Sequence, residues 1–391
     1  MPSYYEFYCP VKILCGHKAL PNLPYELQQL SARRPLIVTD AGVVDAGLLD
    51  KVTDVFVGSD CEVGAAFDRT PPNSSIETVN ELAALYRQRQ CDSLVAVGGG
   101  SALDTAKGVN IVISEGTDDL MQFQGVDRLT KPAQPLVAIP TTAGTGSEVT
   151  SVAVITDTEK GIKLPFMDAR LFPHVAILDP VMTVTMPPKI TAATGMDALT
   201  HAVEAFYCLG KNPVSDAYSV AAIELIVKHL PSCVQDGSEP EERLAMANAA
   251  LLAGIAFSNS LVGVVHSLAH ACGGVAHVPH GVANSVLLPY GMENNLDKVG
   301  GIIAELAPIL GADVAAGASE RERAEAAIQA VRDLGTRLHE FCGAPTRLRD
   351  AGVKEEQLEA IAKTAINDGA VTYNPEEVSY DDALRLLRQA F

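Results

Sequence analysis

The stretch "VAVGGGSALDTAKG" (residues 95–108) passes from an apolar, strand-like segment through three consecutive glycines into a helix-like segment. Two similar strand-like stretches lie on either side of it, "PLIVTD" (35–40) and "PLVAIPTT" (135–142). The residues between them follow a helical period, as in "SSIETVNELAALYRQR" (74–89). This alternation of short strands and helices predicts βαβ units and therefore a parallel sheet.

The strand pattern stops near residue 190, and the remaining chain is rich in Ala and Leu at helical spacing. We therefore predict an α/β fold made of two domains. Residues 1–187 would form a parallel-sheet nucleotide-binding domain, and residues 188–391 an all-α metal-binding and substrate domain. The aromatic opening "YYEFYCPVKILCG" (4–16) predicts an additional strand, either at the sheet edge or against a second subunit.

The three glycines at 98–100 favour a phosphate-binding turn. Glycine lets main-chain N–H groups approach a phosphate closely, and the following helix directs the positive end of its dipole to the same point. The stretch matches neither G-x-G-x-x-G nor the P-loop. A purely structural alternative stays open, because Ser101 and Asp104 have the spacing of a capping box.

A second polar glycine loop, "PTTAGTGSEVTS" (140–151), follows the next predicted strand. Ligands of open α/β sheets bind at the carboxyl ends of the strands, so two such loops indicate a dinucleotide. A solvated Ser/Thr/Gly loop is the alternative. Asp40 ends the first predicted strand, where its carboxylate would either bind an adenosine ribose and favour NAD over NADP, or cap the next helix.

Four of the nine histidines lie in "HSLAHACGGVAHVPHG" (266–281), among Ala, Gly and Val. Imidazoles in an apolar frame need partners, and a divalent metal would satisfy several at once. Asp197 and His201 stand at i and i+4 of a predicted helix, close enough to share an ion, although Thr194 with Asp197 also fits a capping box. Nitrogen and oxygen ligands favour Fe(II), Zn or Mn, but these residues alone do not say which imidazoles bind.

Charge and composition limit the classes of partner that we expect for this chain. The net charge of −19 disfavours nucleic acid and anionic membrane surfaces. The eight cysteines form no CxxC pair, and the N-terminus lacks the pattern of a signal peptide, so we expect a cytoplasmic location. The uncharged stretch 245–265 approaches the length of a membrane span, but its Asn and Ser residues favour a buried core helix.

Six ordered motifs resemble those of the iron-dependent (group III) alcohol dehydrogenases, and the resemblance runs through nearly the whole chain. They are "GGGSALDTAKG" (98–108), "IPTTAGTGSEVT" (139–150), "DPVMTVTMPP" (179–188), "ATGMDALTHAVEAF" (193–206), "GVVHSLAHACGG" (263–274) and "PHGVANSVLLP" (279–289). The resemblance implies a nucleotide-binding α/β domain, a helical metal-binding domain, and Fe(II), or alternatively Zn, together with NAD as cofactors.

By this resemblance, Asp197, His201, His266 and His280 would be the metal ligands. His270 would act as a proton-relay group, and His277 would have no role in binding. Relatives in this family place dinucleotide contacts at Asp40, Asn73, Gly98, Gly99, Gly100, Ser101, Asp104, Thr141, Thr142, Thr145 and Lys163, with Leu178 and Met182 flanking the cofactor. The C-terminal "YNPEE" (373–377) departs from the family's Asn-Pro-Arg.

The function that this resemblance implies is hydride transfer between NAD and a short-chain primary alcohol or diol, or the reverse reduction of an aldehyde. Two alternatives stay open: an enzyme similar to glycerol dehydrogenase or dehydroquinate synthase, and a non-catalytic, metal-stabilised oligomeric scaffold. The expected partners are a small alcohol or aldehyde substrate and further copies of the chain, as a homodimer or a higher homo-oligomer.

Overall fold

The computed structural model describes residues 4–160 and 162–391. Its contacts divide the chain into two compact units. One unit is Cys9–Thr185, and the other is Met186–Phe391 together with the N-terminal residues up to Tyr8. The boundary predicted from the sequence, after residue 187, lies two residues beyond this division. The roles assigned to the two domains stay predictions.

The N-terminal unit alternates strands with helices. Its strands are β1 (Lys12–Cys15), β2 (Pro35–Val38), β3 (Ala65–Phe67), β4 (Ser93–Gly98), β5 (Gly125–Val126), β6 (Leu136–Pro140), β7 (Val152–Asp157), β8 (Ile162–Met167) and β9 (Val175–Leu178). Its helices are α1 (Leu23–Gln29), α2 (Ala41–Asp45), α3 (Leu48–Asp54), α4 (Ile76–Gln88) and α5 (Gly100–Glu115). The three strands predicted in this region are confirmed as β2, β4 and β6.

The main sheet is parallel throughout, in the order β1-β9-β6-β4-β2-β3, which confirms the predicted architecture. The predicted additional strand is β1, at the sheet edge beside β9. Strands β3 and β4 lie on opposite sides of β2, so the strand order reverses direction at β2. In open α/β sheets, the carboxyl ends of the strands at such a reversal form a binding crevice.

Strand β4 lies at the centre of the sheet, and its side chains alternate between two cores. Leu94 and Ala96 pack on the face covered by α4 and α5. Val95 and Val97 pack on the opposite face, against α1 and α3. A strand that is buried on both faces reads as a continuous apolar run, which explains the appearance of "SLVAV" in the sequence.

A smaller sheet of β5, β8 and β7 was not predicted. Strands β7 and β8 pair antiparallel, with Val152 opposite Met167 and Asp157 opposite Ile162. Alternate residues of β7 are buried, a period of two that marks a half-buried strand. The alternation of "VAVITD" (152–157) is visible in the sequence, although the sequence analysis made no prediction for this stretch.

The C-terminal unit is built from helices, and its described residues form no strand. The helices are α6 (Pro188–Tyr207), α7 (Pro213–Gln235), α8 (Pro240–Ser260), α9 (Val264–Ala276), α10 (His280–Asn294), α11 (Leu296–Ile309), α12 (Glu320–Cys342), α13 (Leu358–Ala365) and α14 (Tyr380–Ala390). Helix α6 packs against α7, α8 and α10, and α9 packs against α10 and α13. Helices α6, α9 and α10 therefore meet near one another.

By length and composition, α7 is apolar enough to cross a membrane. Helices α8 and α9 would together make a second such stretch, but they meet at a bend of 104°. Within the unit, α7 packs against α6 and α8. Most of the uncharged stretch 245–265 belongs to α8, and its buried Met246, Ala250 and Ala253 agree with the predicted core helix.

Candidate functional site

The glycine turn after β4 lies directly against the end of β2. Gly98 has φ of +155°, and a Cβ atom there would lie 2.7 Å from the Cβ of Ala102 and 3.2 Å from Oδ2 of Asp40. Only glycine fits this position. The predicted capping box is wrong, because α5 begins at Gly100 and its N-cap, Gly99, has no side chain. Ser101 instead donates its hydroxyl to the main-chain oxygen of Pro72.

The two glycine loops touch each other. A Cβ atom at Gly99 would lie 3.2 Å from Oγ1 of Thr142, and one at Gly100 would lie 3.1 Å from Cγ2 of Thr145. The amide of Thr141 donates to the main-chain oxygen of Gly98 at 3.0 Å. The structure therefore brings together hydroxyl groups, glycine main chain and the N-terminus of α5, which suits an anionic ligand.

Asp40 caps α2, as one of its two predicted roles requires. Its Oδ1 accepts a hydrogen bond from the amide of Val43 at 3.1 Å. The other oxygen, Oδ2, faces Gly98. The cap thus occupies only one carboxylate oxygen, and a ribose contact through the other stays a prediction.

Asp104 fastens the second loop to α5. Its Oδ1 accepts from the Ser147 hydroxyl at 3.0 Å, and its Oδ2 accepts from the amide of Val154 at 3.0 Å. Burial raises the pKa of this carboxyl. With both oxygens bonded inside the protein, Asp104 holds the loop in place, and its predicted contact with the cofactor stays untested.

Lys107, a residue that the sequence analysis missed, is completely buried below the same loop. Its Nζ lies 2.8–3.0 Å from five oxygen atoms of Ser147, Thr150 and Val152. Burial lowers the pKa of its ammonium group to about 8. A lysine one turn after Asp104, directly before the apolar stretch "GVNIVI" (108–113), was the available signal.

The remaining predicted cofactor residues lie in different surroundings. Asn73 is exposed beside Pro72, and Lys163 is exposed on β8. Leu178 ends β9, and Met182 follows in a short 3-10 turn. Both are essentially inaccessible to solvent, and Met182 belongs to a core cluster with Val95 and Val97. Their flanking role stays a prediction.

In the helical unit, the four predicted metal ligands converge. Helix α6 carries Asp197 and His201, α9 carries His266, and α10 begins at His280. Each offers one ligand atom, and these atoms lie within 4.8 Å of one another. The alternative capping box of Thr194 and Asp197 is wrong, because both residues lie inside α6.

The donor set suits a divalent cation. It consists of one carboxylate and three imidazoles, of which only His280 is not fully buried. Burial lowers the pKa of His201, and lowers those of His266 and His280 further, which keeps the rings neutral and their lone pairs available. Burial by itself raises the pKa of Asp197, but the adjacent histidines reverse this and lower it.

Asn284 reaches into this cluster from α10. Its Nδ2 lies 2.6 Å from Oδ1 of Asp197, 3.3 Å from Nε2 of His266 and 3.1 Å from Nε2 of His280. These contacts identify Nε2 as the atom that each of the two rings directs into the cluster. Nδ2 of Asn284 therefore lies where Oδ1 of Asp197 and the Nε2 atoms of His266 and His280 converge.

The other two histidines of the region differ in their surroundings. His270 stacks on His280 with ring centroids 5.2 Å apart, and its Nδ1 lies 2.9 Å from Oδ2 of Asp368. His277 is exposed, with a left-handed φ of +56° at the end of α9. It lies outside the four-residue cluster.

Three polar residues around the cluster escaped the sequence analysis. Glu204 follows His201 by three positions, and Asn284 follows His280 by four, so helical spacing could have found both. Asp368 lies 98 positions from His270, and no local pattern connects the two.

Comparison with known proteins agrees with this arrangement. Residues 10–180 match the family described as iron-containing alcohol dehydrogenase, and residues 191–391 match the C-terminal part of the Fe-containing alcohol dehydrogenase family. The chain is 41% identical over 389 residues to 1,3-propanediol dehydrogenase of Klebsiella pneumoniae, covering 99% of each protein. It is 40% identical over 385 residues to NAD-dependent methanol dehydrogenase of Bacillus methanolicus, covering 98% of this chain and 99% of that protein.

Solved structures give the same result. The alcohol dehydrogenase from Oenococcus oeni superposes with a TM-score of 0.95 at 35% identity, covering 99% of this chain and 100% of that one. The similarity spans both units and contains every predicted metal ligand. This protein therefore belongs to the iron-containing alcohol dehydrogenase family of oxidoreductases.

Proposed function

We propose that this protein transfers a hydride between NAD and a short-chain primary alcohol or diol, and reduces the corresponding aldehyde in reverse. The convergence of one carboxylate and three imidazoles within 4.8 Å carries this proposal. Two relatives, a methanol dehydrogenase and a 1,3-propanediol dehydrogenase, support the substrate class.

Four residues would hold the metal: Asp197, His201, His266 and His280. The ion we propose is Fe(II), with Zn(II) as the alternative. When bound, the ion supplies Lewis acidity toward an alcohol or carbonyl oxygen. The chain's part is to keep the imidazoles neutral by burial, and to hold one ionised carboxylate among them.

The glycine loops would bind NAD, which supplies the hydride chemistry. Main-chain N–H groups at the start of α5 would bind the pyrophosphate, and the Thr hydroxyls of the second loop would add donors. Asp40 would accept from the ribose and exclude a 2′-phosphate. The proposed contacts are Asp40, Asn73, Gly98, Gly99, Gly100, Ser101, Asp104, Thr141, Thr142, Thr145, Lys163, Leu178 and Met182.

His270 would carry the proton that leaves the alcohol hydroxyl. Its ring stacks on the ligand His280 without joining the four-residue cluster. The hydrogen bond from Nδ1 to Asp368 leaves Nε2 free to accept a proton. This arrangement of an imidazole oriented by a carboxylate is typical of general acid–base catalysis.

We further propose a homodimer or higher homo-oligomer in the cytoplasm. Tyr4 and Tyr5 expose 79% and 42% of their surface, which favours a protein contact at the N-terminus. All eight cysteines are free thiols, as in a reducing compartment. The net charge of −19 disfavours nucleic acid and anionic lipid as partners.

The test is anaerobic reconstitution. Metal-stripped protein is reloaded with Fe(II) or with Zn(II), and NADH absorbance is followed with short primary alcohols, diols and glycerol. We expect turnover with a primary alcohol or diol that returns with Fe(II), and none in a His201→Ala variant. A preference for glycerol, or NAD binding without any alcohol turnover, would contradict the proposal and favour the glycerol dehydrogenase- or dehydroquinate synthase-like alternative.

A further inference from the structure

A second carboxylate lies behind the candidate metal ligands. Glu204, on α6, is fully buried and shares a helix face with Asp197 and His201. Its Oε2 lies 2.6 Å from Nδ1 of His266. It is not one of the four residues whose ligand atoms cluster. Glu204 therefore touches the site through His266.

The same carboxylate caps the helix that carries His266. The amide of Val265 donates to Oε1 of Glu204 at 2.8 Å, and the amide of His266 donates to Oε2 at 3.3 Å. The N-cap residue of α9, Gly263, has no side chain to provide these contacts. A Cβ atom at Gly263 would lie 2.7 Å from Oδ1 of Asn374 and 3.0 Å from Oε1 of Glu204, so any larger residue would crowd both capping side chains.

A third cap on α9 comes from the C-terminal part of the chain. The amide of Val264 donates to Oδ1 of Asn374 at 3.1 Å. Asn374 exchanges further hydrogen bonds with Asn295 at 3.0 and 2.8 Å. The first three amides of α9 are thus satisfied by side chains of α6 and of the segment after α13, as buried helix ends require. Asn374 caps the helix without contacting the ring of His266.

These contacts determine which nitrogen of His266 carries the proton. Both oxygens of Glu204 already accept main-chain N–H bonds, and Oε2 faces Nδ1 of the ring. A proton on Nδ1 completes that contact and leaves the lone pair on Nε2. Nε2 is the atom that lies 3.3 Å from Nδ2 of Asn284, on the cluster side of the ring.

We propose that Glu204 is a positioning residue for metal binding: it fixes the tautomer and ring orientation of His266, so that Nε2 is presented to the ion. This inference rests on the proposed function. Ligating histidines of metal sites commonly donate their second nitrogen to a carboxylate, which raises the basicity of the ligand. A second carboxylate also balances the charge that a divalent ion would leave beside Asp197 alone.

Glu204→Gln is the informative substitution because it conserves shape. In either orientation of the new amide, its NH2 group faces a donor, either the amide of Val265 or Nδ1–H of His266. One bond must break, and the ring can respond by moving its proton to Nε2. Asn374→Ala is the matched control, since it removes a cap from the same helix and leaves the ring contact intact.

The experiment titrates Co(II), as a spectroscopic probe ion, into metal-stripped full-length wild type and both variants. Visible absorption reports affinity and ligand geometry, and thermal unfolding without metal reports stability. We expect Glu204→Gln to weaken Co(II) binding roughly 10–100-fold and to alter the visible spectrum. We expect Asn374→Ala to lower the unfolding temperature, with Co(II) affinity and spectrum close to wild type.

Two results would overturn the inference while leaving the proposed function standing. One is Co(II) binding by Glu204→Gln with wild-type affinity and spectrum. The other is an equal loss of affinity in Asn374→Ala, which would mean that Glu204 acts only as a helix cap. A wild-type chain that binds no Co(II) would instead overturn the proposed function, and this inference with it.

Discussion

Nδ1 of His270 lies 2.9 Å from Oδ2 of Asp368, while Oδ1 of Asp368 accepts from the amide of Ala370 at 2.8 Å. Burial raises the pKa of Asp368, but the hydrogen bond from His270 outweighs it and lowers that pKa. The carboxylate is therefore ionised at neutral pH and can only accept, so His270 carries its proton on Nδ1.

Asp368→Asn should reduce kcat by roughly tenfold or more, with a smaller change in KM. The amide oxygen would stay with the amide of Ala370, and the NH2 group would face His270 and reverse its tautomer. Steady-state kinetics measures the two constants. His277→Asn is the control, since asparagine tolerates the left-handed conformation of this exposed residue, and its kinetics should match wild type. An unchanged kcat in Asp368→Asn would contradict the role of the pair.

Lys107→Met should destabilise the N-terminal unit by about 3–5 kcal/mol and weaken NAD binding. The substitution leaves the five oxygen atoms of the second glycine loop without their common donor. Denaturant unfolding and NAD titration measure the two effects. Lys160→Met removes the ion pair between the exposed Lys160 ammonium and Asp157, and should destabilise the protein far less. Equal effects of the two substitutions would refute the structural role of Lys107.

Glu148→Gln should stabilise the protein at pH 8, with little effect at pH 5. Burial raises the pKa of Glu148 from 4.5 to about 7, so the folded state binds its proton more tightly than the unfolded state does. Wild-type stability therefore falls as the pH rises from about 4.5 to about 7. We expect the gain at pH 8 to be roughly 1–3 kcal/mol, because each unit of pKa shift is worth about 1.4 kcal/mol.

Thermal unfolding of wild type and Glu148→Gln across this pH range is the measurement. Lys107 is the charged group that faces Glu148, and burial lowers its pKa to about 8. Its effect on the pH dependence of stability is therefore opposite to that of Glu148. It makes stability rise with pH between about 8 and 10.5, so the comparison belongs at pH 8 and below. A difference between the two proteins that does not change with pH would exclude burial of the ionised carboxylate as the cause.

Asp40→Asn should raise the ratio of NADP to NAD catalytic efficiency by roughly tenfold or more. Asparagine conserves the cap on Val43, since it is as good an N-cap as aspartate, but it removes the charge that would repel a 2′-phosphate. The two kcat/KM values are compared with the same alcohol. Asp45→Asn, an exposed carboxylate at the other end of α2, is the control for net charge. A preference for NAD that survives in Asp40→Asn would assign coenzyme selection to other residues.

Local patterns predicted the parts of the fold that depend on local structure. The apolar run and glycines at 95–108 were enough to place β4, the turn and α5, because strand, turn and helix each leave a short-range signal. The capping boxes assigned to Ser101 and Thr194 were wrong for one reason. Each assumed a helix start at that residue, whereas α5 begins one residue earlier and α6 begins six residues earlier.

The residues of the candidate site also separate into those that local sequence patterns predicted and those that they did not. The i, i+4 spacing of Asp197 and His201 was visible in the sequence, and the family resemblance added His266 and His280. Asp368, Asn374 and Lys107 act through contacts with residues 40–110 positions away. Pairings at such separations are set by tertiary packing, so no window of sequence contains them.

The cap that Asn374 places on α9 affects the order of events during synthesis. Its partner, Val264, emerges from the ribosome 110 residues earlier. The N-terminal unit, Cys9–Thr185, is complete long before that point and can fold as the chain grows. The helix that presents His266 obtains its last cap only when nearly all of the 391 residues have been made. The N-terminal end of α9 should thus be fully hydrogen-bonded only when synthesis is nearly complete, well after Cys9–Thr185 can fold.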